Sequence, residues 1–218
     1  MTITSNKGFK PDRSTDPIDF EQLVNVGIAK PARYMGYELG VKQSNWEEAR
    51  VRWALTYPEL YEIGASNSGH IILYSILNEI PGHLCDRAYL PAADLSQRLR
   101  ECSQYLFAVE SRRPLFAFDI LGFSLSYELG ATNILEMLEL ADIPLHAEKR
   151  GDLPIEHPDS PPLIFAGGPT ATSNPEPYAS FFDFFALGDG EELLPEIGLI
   201  ISDAKNTNLS RKGLLRDL

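Results

Sequence analysis

The sequence lacks the features that mark a metal-binding, secreted or membrane-spanning protein. Its two cysteines, Cys85 and Cys102, stand alone, and without a CxxC or CxxxCxxC motif the chain has no thiolate zinc or iron–sulfur site of its own. Two isolated cysteines indicate reduced thiols in the cytoplasm. No apolar run approaches the ~18 residues of a transmembrane helix, and the first residues contain no apolar signal core. We therefore expect a cytoplasmic protein without membrane contact.

Basic charge is also scarce. Lys and Arg number 19 against 31 Asp and Glu, which gives a formal net charge of -12. Such an acidic surface argues against the phosphate backbone of a nucleic acid as the main ligand. The sequence also lacks a Walker A motif, a GxGxxG motif and a Ser/His/Asp order, so it indicates none of these common catalytic or nucleotide-binding classes.

Short apolar segments alternate with helical patterns along the chain. Strands are predicted at 51–57, 84–89, 118–126, 163–166 and 182–187. The first strand precedes a long loop and the third is the most apolar, which favours an α/β, flavodoxin-like, doubly wound and mainly parallel five-stranded sheet with an N-terminal extension. We also expect a brief strand at 143–146 and a helix that starts at Asn174 between the last two strands.

Three regions follow from this pattern. Residues 1–45 are polar and turn-rich and are predicted to form an N-terminal extension or strap over the sheet edge. Residues 46–205 contain the strands and helices of the α/β domain. Residues 206–218 are polar and then basic, and we expect a linker toward a further domain.

Small residues follow several predicted strands. Ser124 and Ser126 end the third, Gly167-Gly168 the fourth, and Gly188-Asp-Gly190 the fifth. The carboxyl ends of parallel strands are where open α/β sheets bind ligands. Two simpler interpretations stay open, because glycines also serve purely structural turns and Gly188–Glu191 is also typical of a helix start.

Several ordered motifs resemble the N-terminal region of cobalamin-binding-type radical SAM proteins. They are YPELYEIGASNSG at 57–69, FDILGFSLSYEL at 118–129, GGPT at 167–170, NPEP at 174–177, LGDGEE at 187–192 and KPARY at 30–34. The resemblance implies a cobalamin-binding-like domain that precedes a radical SAM barrel in a longer polypeptide. In the family that barrel holds a 4Fe-4S cluster and cleaves S-adenosylmethionine, so we do not expect this chain to be catalytic by itself.

The sequence departs from the cobalamin-binding pattern at the residue that would bind cobalt. The DxHxxG motif of methionine-synthase-type domains is missing, and His70 follows Gly69 at the start of a helix instead. We therefore expect cobalamin to be bound without a protein histidine on cobalt, with serines bonding its nucleotide tail and glycines letting the tail approach the backbone. The candidate cofactor-binding residues are Ser66, Asn67, Ser124, Ser126, Gly167, Gly168, Thr170, Gly188, Gly190 and Glu191.

Two alternatives remain open from the sequence. In the first alternative, the domain is a degenerate module that has lost the cofactor and covers the barrel or holds the substrate. The missing DxHxxG motif favours this alternative. A weaker alternative is a flavin or nucleotide binder at the same sheet edge. No catalytic or metal-ligating residue is predicted in this chain.

Overall fold

A computed structural model describes residues 13–24, 27–42 and 45–218. Its sheet has five parallel strands in the order β2-β1-β3-β4-β5. This is the predicted flavodoxin-like order, and all five predicted strands are present. The strands are β1 Val51–Tyr57, β2 His83–Tyr89, β3 Ile120–Ser124, β4 Leu163–Gly167 and β5 Phe184–Ala186.

Helices cover both faces of the sheet. The α-helices are α1 Phe20–Leu23, α2 Tyr61–Gly64, α3 Ser68–Glu79, α4 Ala93–Glu101, α5 Gly130–Leu140, α6 Pro169–Ser173, α7 Gly190–Thr207 and α8 Arg211–Asp217. Four 3-10 turns lie at Pro31–Tyr34, Leu115–Ala117, Ala147–Arg150 and Glu176–Tyr178. The described residues before β1 therefore contribute one short helix and one turn.

Strand side chains alternate between two apolar cores. In β1, Trp53 and Leu55 pack into a core with α3 and α7, whereas Ala54 faces the core formed with α4 and α5. Successive strand side chains point to opposite faces, so a strand covered on both sides must be apolar at nearly every position. This explains why β3 consists almost entirely of buried apolar residues.

One predicted strand and the predicted start of one helix are wrong. The segment 143–146 forms no strand, since Ile143 closes the turn after α5 with its amide bonded to the Leu138 carbonyl. The helix between β4 and β5 begins at Pro169, and Asn174 is its C-cap rather than the N-cap of a new helix. Proline suits the first helical turn because it has no amide hydrogen to leave unsatisfied, and Pro169 takes that role ahead of Pro175.

The amino edge of the sheet is closed by buried ion pairs. Lys205 in α7 lies 2.9 Å from the carboxylate of Asp119, which precedes β3. Arg211 in α8 lies 2.7 Å from Asp183, which precedes β5, and Arg150 lies 3.1 Å from the same carboxylate. The end of the chain is thus attached to the sheet by its charged side chains as well as by its apolar ones.

Candidate functional site

The carboxyl ends of β3, β4 and β5 form one continuous rim. Ser124 pairs with Gly167, and Gly167 pairs with Ala186. The Leu125 amide donates to the Gly167 carbonyl at 2.8 Å, and the Thr170 amide donates to the Leu125 carbonyl at 3.2 Å. The structure therefore brings the predicted Ser124 and Gly167 side by side and places buried Thr170 directly behind them.

Both predicted serines of β3 lie on the same side of the sheet. Leu125 is buried in the core beneath α4 and α5, so alternation directs Ser124 and Ser126 toward α3 and α7. Both serines are half-buried. Among the described residues Ser124 makes no side-chain hydrogen bond, and its hydroxyl is available for a ligand at the rim.

A tyrosine that was not predicted from the sequence connects two of the predicted residues. The Tyr57 hydroxyl, at the last position of β1, lies 3.4 Å from the Ser126 hydroxyl. The side-chain amide nitrogen of Asn67 donates to the same tyrosine oxygen at 3.4 Å. The side-chain oxygen of Asn67 accepts from the backbone amide of His70 at 3.0 Å. Asn67 therefore caps α3 and also joins the loop after β1 to the end of β3.

Other predicted residues have structural tasks. The Ser66 hydroxyl donates to the Ile63 carbonyl within its own loop at 3.0 Å. Gly168 has φ of 110°, and a Cβ there would lie 3.0 Å from the Leu125 carbonyl oxygen. Because a side chain is disfavoured in that conformation and has little room, the fold itself requires this glycine, whether or not a ligand binds.

The loop after β5 begins a helix, as one of the open interpretations proposed. Gly188 forms the turn, and the Asp189 carboxylate accepts from the Glu191 amide at 3.1 Å. A Cβ on Gly190 would lie 3.2 Å from a methyl group of Leu73, so this glycine lets α7 pack closely against α3. Glu191 is exposed in the first turn, where its charge suits the helix dipole.

His70 is placed inside the core rather than at the rim. It is 2% exposed, and its ring lies 5.7 Å from those of Tyr57 and Tyr89. Burial, with a smaller effect from Arg87, lowers the pKa of His70 to about 3, so the imidazole is neutral at physiological pH. It would have to leave the core to reach a metal bound above the rim.

The rim also carries large apolar side chains that face solvent. Each follows β1, β3 or β5 in the chain, and their exposed fractions run from 39% to 79%. We call these residues the apolar rim set: Ile63, Ile71, Ile72, Tyr127, Leu129 and Leu187. Large apolar side chains concentrated in one region are typical of an interaction surface. These residues are scattered over loops and the first turns of helices, and they gave no sequence signal because only the fold shows that they follow strand ends at one edge of the sheet.

The described residues contain no group of three or more His, Cys, Asp or Glu side chains placed to hold a metal ion. Across the same ranges, no helix combines the length and hydrophobicity that crossing a membrane requires.

The strand order and the rim define a flavodoxin-like α/β domain with small polar residues at its carboxyl edge. The family model described as radical SAM proteins, N-terminal, matches residues 69–218. The chain belongs to this family, and membership implies a radical SAM partner domain. No curated protein and no solved structure matches the chain.

Proposed function

We propose that this chain is the cobalamin-binding-like module of a radical SAM enzyme and that its carboxyl rim is the working face. The observation that carries the proposal is the pairing of Ser124 with Gly167 at the ends of two adjacent strands. This edge is where doubly wound sheets bind their ligands. The radical chemistry itself belongs to the partner domain.

The apolar rim set supports contact between this face and the partner. Leu129 and Leu187 are 79% and 51% exposed, and leaving such side chains in water costs about 25 cal/mol per Å² of apolar surface. A radical SAM domain seated on the rim would remove that cost. It would also exclude water from any cofactor held between the two domains.

The residues fit a corrinoid only without a protein ligand on cobalt. Ser124 offers a free hydroxyl to the nucleotide tail. A Cβ added at the neighbouring Gly167 would lie 3.3 Å from the Ala186 carbonyl oxygen, which is closer than an ordinary van der Waals contact, so this glycine lets β4 and β5 approach closely and puts no side chain at the rim. His70 lies in the core and offers no nitrogen at the surface. When bound, the corrinoid would supply cobalt chemistry to the partner, and this chain would contribute binding and orientation.

A spectral titration with hydroxocobalamin tests the corrinoid part. We expect a saturable absorbance change with the unaltered chain, and at least ~10-fold weaker binding for Ser124→Leu, because the larger side chain removes a hydrogen bond worth about 1.4 kcal/mol or more. Ser180→Leu is the matched control, since Ser180 is exposed on the amino side of β5. Equal binding by all three proteins, or none by the unaltered chain, would contradict the corrinoid proposal.

The second candidate is a module that has lost the cofactor and covers the barrel. It is favoured by Gly168, whose φ of 110° and contact with Leu125 explain the glycine without any ligand. This candidate keeps the apolar rim set as an interface and makes no use of the Ser124 hydroxyl. A titration without response, together with retained binding to the radical SAM domain, would select it.

Association with a separately supplied radical SAM domain tests the interface. Charged residues are disfavoured at interface centres, so we expect Leu129→Glu and Leu187→Glu each to weaken association about 10-fold or more. Leu199→Glu is the control, because Leu199 is 60% exposed on the middle of α7, away from the rim. If all three substitutions have the same effect, the rim is not the contact surface.

A further inference from the structure

Three buried side-chain atoms within the described residues lack any hydrogen-bond partner. They are His70 Nε2, Arg87 Nη2 and the Tyr89 hydroxyl oxygen. A buried polar group without a partner costs about 1–3 kcal/mol, so each of the three requires an explanation.

The three atoms belong to one cluster between α3 and the end of β2. Arg87 and Tyr89 are two residues apart on the strand, so both side chains point to the same face. His70 and Tyr74 are one turn apart on α3 and lie above them. The His70 and Tyr89 rings are 5.7 Å apart, and the Arg87 guanidinium lies 4.7 Å from the Tyr74 ring.

The charges in this cluster exclude an anionic ligand. Arg87 Nε lies 2.6 Å from Glu110 and its Nη1 lies 2.9 Å from Glu38, so two acidic side chains already contact the single guanidinium. Burial keeps the neighbouring groups uncharged: it lowers the pKa of His70 to about 3 and raises the pKa of Tyr89. A molecule that satisfies the three free atoms must therefore be neutral, small and able both to donate and to accept.

We propose that His70, Arg87 and Tyr89 form a binding site for one interior water molecule. The water accepts from Arg87 Nη2, donates to His70 Nε2 and completes a third hydrogen bond with the Tyr89 hydroxyl. Three bonds are typical of buried waters in proteins. The arrangement assigns the proton of the neutral imidazole to Nδ1, because Nε2 acts as the acceptor.

This water connects the rim to the N-terminal segment. His70 follows the Asn67 cap in the first turn of α3, and its amide is bonded to that cap at 3.0 Å. Arg87 is held by Glu38, whose carboxylate also accepts from the Tyr61 hydroxyl. The water therefore joins the loop that shapes the rim to the segment that crosses the β2 edge, and His70 acts as a positioning residue rather than a ligand.

A high-resolution crystal structure of the chain tests the site directly. We expect a solvent peak within hydrogen-bond distance, about 2.7–3.2 Å, of all three atoms. A direct bond between His70 Nε2 and the Tyr89 hydroxyl, or no peak between them, would overturn the proposal. Nitrogen NMR of the His70 ring provides a second measurement, and the proposal requires the tautomer protonated at Nδ1.

Two matched variants test the site in solution, where a long-lived interior water is detected by magnetic relaxation dispersion or by water–protein Overhauser effects. Tyr89→Phe removes one of the three bonding groups, and we expect loss or marked shortening of the long-lived water signal. Tyr57→Phe is the control, because its hydroxyl contacts Ser126 and Asn67 instead, and it should keep the signal. If both variants or neither alters the signal, the site is not where we place it. If Tyr89→Phe does not fold, the crystal structure of the unaltered chain decides.

Discussion

Replacing Arg211, the first residue of the last helix, by alanine should markedly destabilise the domain. The Arg211 guanidinium donates to Asp183 at 2.7 Å and to the Pro161 and Pro162 carbonyls at 2.8 Å each. The Arg211 and Asp183 side chains are 4% and 2% exposed. Removal of the arginine leaves a buried carboxylate with Arg150 as its remaining cation, and it leaves two carbonyls without a donor.

The size of the effect follows from this burial. Breaking a buried ion pair by removing one partner costs about 3–5 kcal/mol, out of a total stability of roughly 5–15 kcal/mol for a domain. At about 2–4 °C per kcal/mol for a chain of this length, the midpoint of thermal unfolding should fall by roughly 6–20 °C. Added salt should change the stability difference between Arg211→Ala and the unaltered chain only slightly, because salt screens buried ion pairs poorly.

Urea denaturation and a thermal melt monitored by circular dichroism measure the loss. Arg216→Ala is the matched control, since Arg216 is exposed in the same helix and should stay within about 0.5 kcal/mol of the unaltered chain. The stability of Arg211→Lys should lie between those of Arg211→Ala and Arg216→Ala. Lysine keeps the positive charge but lacks the planar guanidinium that reaches both the carboxylate and the carbonyls. A loss for Arg211→Ala no larger than that for Arg216→Ala would refute the assignment of α8 to the folded domain.

Three further outcomes are expected. Gly36→Ala should detach the segment around residue 36 from the domain and lower its stability, because Gly36 has φ of 67° and a Cβ there would lie 2.1 Å from the Val109 carbonyl oxygen. We expect faster hydrogen exchange of the backbone amides in that segment, and unchanged exchange rates would contradict the prediction. Burial raises the pKa of the Cys85 thiol, whereas Cys102 is partly exposed, so a thiol reagent should modify one cysteine in the native chain and both in urea. Burial and a neighbouring carboxylate raise the pKa of Glu110 above its ordinary 4.5; the native state therefore holds this proton more tightly than the unfolded chain, and stability from this group is full below about pH 4.5 and declines as pH rises through the raised value. Glu110→Gln should flatten that decline in urea titrations across the pH range, and an equally steep decline would exclude Glu110 as its source.

The architecture was predictable because it depends on local patterns. Four of the five strands are short and mainly apolar, all five end at or within two residues of a glycine, proline or serine, and a parallel order follows from the alternation with helices. The helix after β4 was misplaced for a local reason as well. Both Pro169 and Pro175 are suited to a first helical turn, and only the tertiary structure shows that the chain has already begun its helix at Pro169.

The polar contacts could not be predicted in the same way, because their partners are far apart in the sequence. Lys205 bonds an aspartate that lies 86 positions earlier, and Tyr57 meets Ser126 across 69 positions. Neither pair forms a motif, and each side chain alone suggests only an exposed polar residue. Gly168 differs from these pairs, because its φ of 110° and its contact with Leu125 already require a glycine, and its contact with a cofactor stays a prediction.

The two edges of the sheet are built on different principles, and this difference supports a working face at the carboxyl rim. At the amino edge, Asp119 and Asp183 repeat one arrangement: each precedes a strand and accepts a neighbouring strand's amide at 2.7 Å. Each carboxylate is then bonded by a basic side chain from the end of the chain, Lys205 or Arg211. The buried charges of that edge are therefore already paired within the fold. At the carboxyl edge, the Ser124 hydroxyl has no partner among the described residues and large apolar side chains face solvent. Free hydrogen-bonding capacity and exposed apolar area therefore coincide at one edge, and this supports the proposal that a partner or cofactor binds there.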